Sequence, residues 1–497
     1  MPLCPTRNLA TVLIACLLLA GCFGGDDRAI EVVAIGDPGS TFQAGPRWPL
    51  AAQELRAASV EGLVAFDEQG RVVPALADRW IVTDDGLSFI FRLRDGIWAD
   101  GSAITAESAR AALLQAIAAQ RSLPLGADLG VIGEVRAMAG RVIEIRLDRQ
   151  APDILQLLAQ PELGLVSNGR GAGPMKSRRD TNKDLKLSGV LLKAIAPEER
   201  GLPQDESWAK RVRSLRFSAA PAARAVKLFS DGDVTVVIGG TLTDYPRLAA
   251  AGVSRSAIQF DPVAGLFGLA VLHADGFLSL PENREAIAMA LDRDALVRTF
   301  NLDGWLVTTR VLTPGMEGDT GAVSERWQGR TIEERQALAS ARVSRWKAAH
   351  GGAVALRIAL PAGPGTDLLF AQFAKDLKTI GLEARRVTLA SDADLRLIDV
   401  AARYSRPAWY FNQLACGSAA SLCSVTADRL VAQANAEPDP VKHADLLAEA
   451  EAKLTIENTY IPLGVPIRWS LVSSSVTAFA PNHLAIHPLM PLAILPK

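Results

Sequence analysis

The chain carries almost no net charge. Lysine and arginine total 53 against 54 aspartates and glutamates, a balance of −1. Nucleic acid and anionic membrane surfaces therefore gain no bulk electrostatic attraction, and any charge preference must be local. Low-complexity tracts, clear linkers and obvious internal repeats are also missing. With 49% hydrophobic and 22% charged residues, the composition is that of a globular protein and argues against disorder. Its length allows two large lobes or three smaller domains. No nucleophile–base–acid set and no phosphate-cradling loop appears, so enzyme activity and a cofactor are not expected. Cysteine is scarce, with five in all.

What is present begins at the N-terminus. MPLCPTRNLATVLIACLLLAGC has one cation, Arg7, then an apolar run from Leu9 to Ala20 and small residues before Cys22. That pattern predicts a secretory signal, and the run is too short for a comfortable membrane span. Leu19-Ala20-Gly21-Cys22 resembles the bacterial lipobox, in which a peptidase cuts before the cysteine and lipid is attached to its thiol. The expected plan is a signal peptide over 1–21, lipidation at Cys22 and a polar tether over 22–28, with the body in the periplasm or cell envelope. A plain signal peptide with a chance cysteine is the other reading.

Cys4 and Cys16 leave with the signal, so Cys416 and Cys423 remain in the body and are expected to pair in an oxidising compartment. The short loop they close is worth roughly 2 to 3 kcal/mol in the chain-entropy account. A C-x6-C pair without a nearby histidine is a poor zinc site, and no metal is expected. His483 and His487 are four apart, but the prolines around them argue against a helix.

Strand and helix signals alternate along the chain. AIEVVAIG (Ala29 to Gly36) reads as a buried strand, and SFIFRLRDG (Ser88 to Gly96) as an alternating one. Thr105 N-caps a helix with Ser108 at the third position, half of a capping box. Amphipathic helices are predicted over Glu282 to Phe300 and Thr366 to Leu382. ALRIALP, the second of these helices and ARRVTLA form a β-α-β pattern, so the fold class is mixed α/β.

Several blocks carry a family resemblance. The stretch EGLVAFDEQGRVVPALADRWIVTDDGLSFIFRLRDGIWADGSAITAESARAAL (Glu61 to Leu113) resembles the signature region of family 5 extracellular solute-binding proteins, the oligopeptide and dipeptide receptors of ABC importers. GAGPM (Gly171 to Met175) is similar to the family's G-T-G-P-Y, and ENREAIAMALDRDALV to its R-V-R-Q-A-L-x-x-A-I-D-R-x-x-L-V. Ala427 to Pro466 is similar to its helix pair and following x-Y-I-P-L strand. The resemblance implies a two-lobe periplasmic-binding-protein fold with a hinged cleft. It implies lobe I at 29–252 plus 478–497, an accessory subdomain at about 48–165, and lobe II at 253–477. The implied partners are a peptide-like or anionic solute and ABC permease subunits in the inner membrane, with the chain a monomer. The alternative is the same fold used as a sensor or partner-docking lipoprotein.

One block departs from the family. Peptide-binding members read W-x-A-D-Y-x-D-P where this chain has Val400, Ala401, Ala402, Arg403, Tyr404, Ser405, Arg406 and Pro407. Asp394-Leu395-Arg396-Leu397, similar to the family's Y-D-L-x-L strand, fixes the register. Two aspartates have become arginines. The first resembles a counter-ion for a ligand's α-amino group, and a guanidinium cannot take that role because it has no acceptor. It could instead dock an anion bidentately. The other readings for Arg403 are a salt bridge across the lobes or a solvated side chain, and for Arg406 solvation or an acidic neighbour.

The remaining cleft candidates are Tyr404, Trp409 and Tyr410 beside the arginines, Arg170, Gly171 and Gly173 in RGAGP, and Ser40 and Thr41. The last two lie where the family has E-P-x-S-L-D-P and this chain has Asp37 to Gln43. Each has a structural reading as well: buried aromatics, a turn that lets the chain cross, or an ordinary loop.

Overall fold

The structure is a computed structural model and describes residues 29–43, 45, 48–183, 185–417 and 421–495. The expected signal peptide, Cys22 and the tether lie outside these residues.

β1 (Ile30–Ile35) is apolar apart from Glu31, which pairs with Arg216, and it lies in parallel with a neighbour on both sides. It sits inside a seven-stranded sheet ordered β10 (Met175–Asn182), β11 (Leu187–Ala194), β12 (Leu215–Ala220), β1, β13 (Val236–Thr241), β20 (Arg468–Val472) and β14 (Ile258–Asp261). A second sheet of five strands is ordered β17 (Glu383–Val387), β16 (Ala355–Ala359), β18 (Leu395–Ala401), β15 (Gly265–Val271) and β19 (Tyr460–Gly464). The expected β-α-β unit is here: parallel β16 and β17 flank the helix Pro364–Thr379. Each sheet is the centre of one lobe, which gives the mixed α/β, two-lobe architecture.

A third sheet, β4 (Ala77–Val82), β5 (Ser88–Leu93), β7 (Val142–Leu147) and β6 (Ile132–Met138), forms the accessory subdomain with the helix Ala106–Gln120. That helix has a complete capping box: Ser108 N–H donates to Thr105 Oγ1 at 3.1 Å, and Thr105 N–H donates to Ser108 Oγ at 3.0 Å. Two small hairpins, β2 (Val64–Phe66) with β3 (Val72–Pro74) and β8 (Val166–Ser167) with β9 (Arg170–Gly171), border the subdomain.

Three placements differ from the sequence expectation. The chain crosses between the lobe sheets at 262–264 and 465–467, because β14 and β20 pair within the seven-stranded sheet. Both crossings fall inside the boundaries expected at 252/253 and 477/478. The helix Leu50–Ser59 packs its Ala51 and Ala58 into the core under β1 and β12 rather than into the accessory sheet. The helix expected over Glu282 to Phe300 is two helices, Pro281–Ala290 and Arg293–Phe300. Asp292 ends the first by capping the second, accepting from Ala295 N–H at 2.9 Å.

A buried polar cluster joins the C-terminal segment to lobe I. Glu54 accepts from His487 N–H at 2.9 Å, and His487 Nε2 lies 3.2 Å from Asp261 at the end of β14. Burial pushes the Glu54 carboxyl up to about 7, against the pull of the His487 amide. The unfolded chain would hold this carboxyl near its ordinary value of 4.5. The native state therefore binds the proton first as pH falls, and between about pH 8 and 5 stability should rise toward acid, by up to about 1.4 kcal/mol per pH unit from this group. Urea unfolding of wild type and Glu54→Gln across that range is the check: the slope should fall in the variant, most clearly between about pH 8 and 6, above the range where the raised Asp128 and Asp376 carboxyls contribute.

Candidate functional site

The cleft lies between the two lobe sheets. At the carboxyl edge of β13, Thr241, Thr243 and Asp244 face Pro361, Ala362 and Leu389 and the end of β18, Leu397 to Val400, across a cavity of 610 Å³. Both carboxylates in this lining are already held by arginine. Asp244 accepts from Arg247 Nε at 2.7 Å. Asp399 accepts from Arg468 Nη1 at 2.6 Å, which also ties β18 of one lobe to β20 of the other.

Beyond Val400 the chain leaves β18, and Pro407 opens the helix Pro407–Leu414. Arg403 sits between them and reaches from lobe II to the accessory subdomain, outside the lining of this cavity. Its Nη1 donates to Gln160 Oε1 at 2.9 Å and Glu162 Oε2 at 2.9 Å, and its Nη2 donates to Glu162 Oε1 at 2.8 Å. Gln160 returns a bond to the Arg403 carbonyl at 3.3 Å. The Glu162 side chain is only 3% exposed, against 30% for Arg403. The geometry is the two-pronged fit that a planar guanidinium makes with a carboxylate. Behind it Arg56 steadies the acidic turn, donating to the carbonyls of Pro161 and Gly164 at 3.0 Å each.

Tyr404 is buried and donates its hydroxyl to Asp128 Oδ1 at 2.7 Å, and Asn412 Nδ2 donates to the same oxygen at 2.5 Å. Desolvation pushes the Asp128 carboxyl up to about 6, with those two hydrogen bonds opposing it. Burial together with the Asp128 charge pushes the Tyr404 phenol well above its ordinary value.

The other candidates fall elsewhere. Arg406 pairs with the exposed Glu317 at 2.6 Å, the acidic-neighbour reading. Trp409 and Tyr410 are 1% and 0% exposed, and the Tyr410 hydroxyl lies 2.7 Å from Thr313 Oγ1. Their rings are filled against the core and offer no free face for stacking on a sugar or ring. Arg170 is exposed on β9. Gly171 and Gly173 serve packing: a Cβ would come within 2.6 Å of the Val60 side chain and 2.0 Å of the Ser59 backbone, respectively. The loop therefore lies directly against the end of the helix Leu50–Ser59, and this explains its glycines without a ligand. Ser40 and Thr41 form a short turn after β1, and both hydroxyls are buried without a hydrogen-bond partner. Cys416 and Cys423 are joined in a disulfide with Cα atoms 5.1 Å apart.

Sequence reasoning did not find Glu162, Gln160, Asp128, Asp399 or Arg468. Glu162 had one usable signal: it is the sole charge in the apolar run LLAQPELGLV (Leu157 to Val166), and a carboxylate in such a run needs a partner.

The two arginines should separate in a stability measurement. Arg403→Ala leaves a buried carboxylate without its guanidinium and should cost about 2 kcal/mol or more. Arg406→Ala breaks a pair whose acidic half is in solvent and should cost about 0.5 kcal/mol or less. Equal costs by urea unfolding would show that the Glu162 pair is screened like a surface one.

Comparison with known proteins fits this geometry. Residues 71–190 match the family described as bacterial extracellular solute-binding proteins, family 5 Middle. A probable deoxycholate-binding periplasmic protein of Escherichia coli, YgiS, is 32% identical over 139 residues, 23% of this chain and 26% of that protein. The glutathione-binding protein GsiB of the same species is 26% identical over 162 residues, 32% of this chain and 31% of that protein. The matched stretches thus span about a quarter to a third of these relatives. OppA of Haemophilus influenzae, solved with the peptide RPPGFSPFR, shares the fold with a TM-score of 0.77 at 15% identity, covering 95% of this chain and all of that one. Over residues 71–190, which include the accessory sheet, the chain is similar to the bacterial extracellular solute-binding proteins of family 5, and over 95% of its length it shares the two-lobe fold of OppA.

Proposed function

We propose that this protein captures a small solute of peptide, opine or oligosaccharide size between its lobes and delivers it to the permease of an ABC importer. The observation that carries this reading is the 610 Å³ cavity lined from both lobes, a volume suited to a small-molecule ligand. The relatives named for deoxycholate and glutathione, and OppA with its bound peptide, support the size class. Ser40 and Thr41 follow β1 at the carboxyl end of its parallel neighbours β12 and β13. Their unpartnered hydroxyls make them the neutral polar contacts of the reading.

At position 403 the solute meets no carboxylate, so an α-amino group is not captured there. A guanidinium only donates hydrogen bonds, and this one is taken up by Glu162 and Gln160. An anionic group on the solute is the finer expectation, and it requires that group to displace Glu162 from Arg403. Native mass spectrometry of the protein taken gently from the cell envelope tests both levels. A retained small molecule is expected, and an acidic one would support exchange at Arg403. A retained peptide whose affinity is unchanged in Arg403→Ala would remove that contact. Failure to retain any solute, with no binding across a library of peptides, opines and oligosaccharides, would overturn the reading.

The same proposal holds the protein at the membrane by acyl chains on Cys22, supported by Leu19-Ala20-Gly21-Cys22. Among the described residues no helix is long and apolar enough to cross a membrane. Cys22→Ser should release a folded, soluble protein on cell fractionation. Unchanged membrane retention would end the lipid-anchor claim.

A further inference from the structure

We infer that the two lobes are latched shut by the protein's own side chains, so that closure does not wait for a solute. The inference rests on the two-lobe clamp reading above. It concerns what holds the clamp, not what the clamp holds.

Two polar contacts cross the gap between lobe II and the accessory subdomain, and both are made entirely by protein atoms. In one, Arg403 lies on Glu162 in a two-pronged fit while Gln160 bonds it at both ends. In the other, Asp128 accepts from Tyr404 and Asn412. The acidic turn is fixed from behind by Arg56, so Glu162 is presented rather than free to follow a solute.

Apolar surface backs both contacts. The helices Pro124–Leu129 and Pro407–Leu414 pack on each other across the gap. Leu125 and Leu129 on one side and Tyr404, Trp409 and Leu414 on the other belong to one continuous core. Parting these two helices would expose that core, a cost present whether or not the cleft is filled. A solute shifts an opening equilibrium only by binding one state better than the other. Here the closed state is already favoured by groups outside the solute cavity, whose lining includes neither Arg403 nor Asp128.

The double-arginine segment thereby acquires a role that solute capture did not give it. Its first arginine is the bolt, and Tyr404 and Asn412 are the second catch.

The test compares the full-length protein with Glu162→Ala and Glu162→Ala/Asp128→Ala, each stripped of bound molecules by unfolding, washing and refolding. Small-angle X-ray scattering of the stripped wild type should give the radius of gyration calculated for the closed structure, and the double variant a larger one. Amide exchange over residues 402–414 should be roughly tenfold faster or more in the double variant. Cooperative urea transitions confirm folding, and Glu162→Gln replaces either variant that lacks one. A stripped wild type as extended as the double variant would overturn the latch. So would a double variant as compact and as slowly exchanging as wild type. Because no solute is present in these measurements, their outcome is independent of the mass-spectrometric test of solute capture.

Discussion

A carboxylate buried in one lobe and a guanidinium reaching it from the other decide how the halves of this molecule meet. Glu162 is nearly inaccessible to water, and a charge in that position is tolerable only with a partner of opposite sign and good geometry. Arg403 supplies both, and its planar fork uses two nitrogens on the two carboxylate oxygens. Once that pair is set, the neighbouring positions follow. Tyr404 is carried down to Asp128, and Pro407 can start its helix against the accessory subdomain. The cavity between Thr241 and Val400 remains as the space that the closed lobes do not fill.

The two lobes are also joined covalently. Two short segments cross between the sheets, 262–264 and 465–467, and each runs directly from a strand of one sheet to a strand of the other. Arg468 sits at the start of β20 and grips Asp399 near the end of β18, so the crossings are tied side to side as well. Arg403 follows directly on Ala402, whose N–H donates to the Ala264 carbonyl in the first crossing at 2.8 Å, so the Arg403 pair is anchored beside that crossing.

Much of the fold was legible in the sequence because it rests on local patterns. The β-branched run of β1, the alternation of β5, the Thr105 cap and the β16–helix–β17 unit are each written in consecutive residues. The disulfide was legible from compartment and count. The division of the helix at Asp292 was missed because apolar periodicity continues through it, and the third position after the cap is Ala295, which cannot complete a capping box. The candidate site was less legible for a different reason. Arg403 and Glu162 lie 241 residues apart, and nothing near either names the other. The sequence could show that position 403 had changed sign relative to the family pattern, and it left a salt bridge across the lobes as one open reading. It could not choose that reading over an anion. Trp409 and Tyr410 illustrate the same limit, since an aromatic beside a cleft and an aromatic under it have identical local sequence.

One feature of the larger sheet bears on how such a chain comes to be folded at all. β20, Arg468–Val472, lies between β13 and β14, inside the sheet rather than at its margin. Until the ribosome has made that strand, β14 has no neighbour and the sheet cannot be completed. The sheet of the first lobe is therefore completed only after every strand of the second sheet, β15 to β19, has been made.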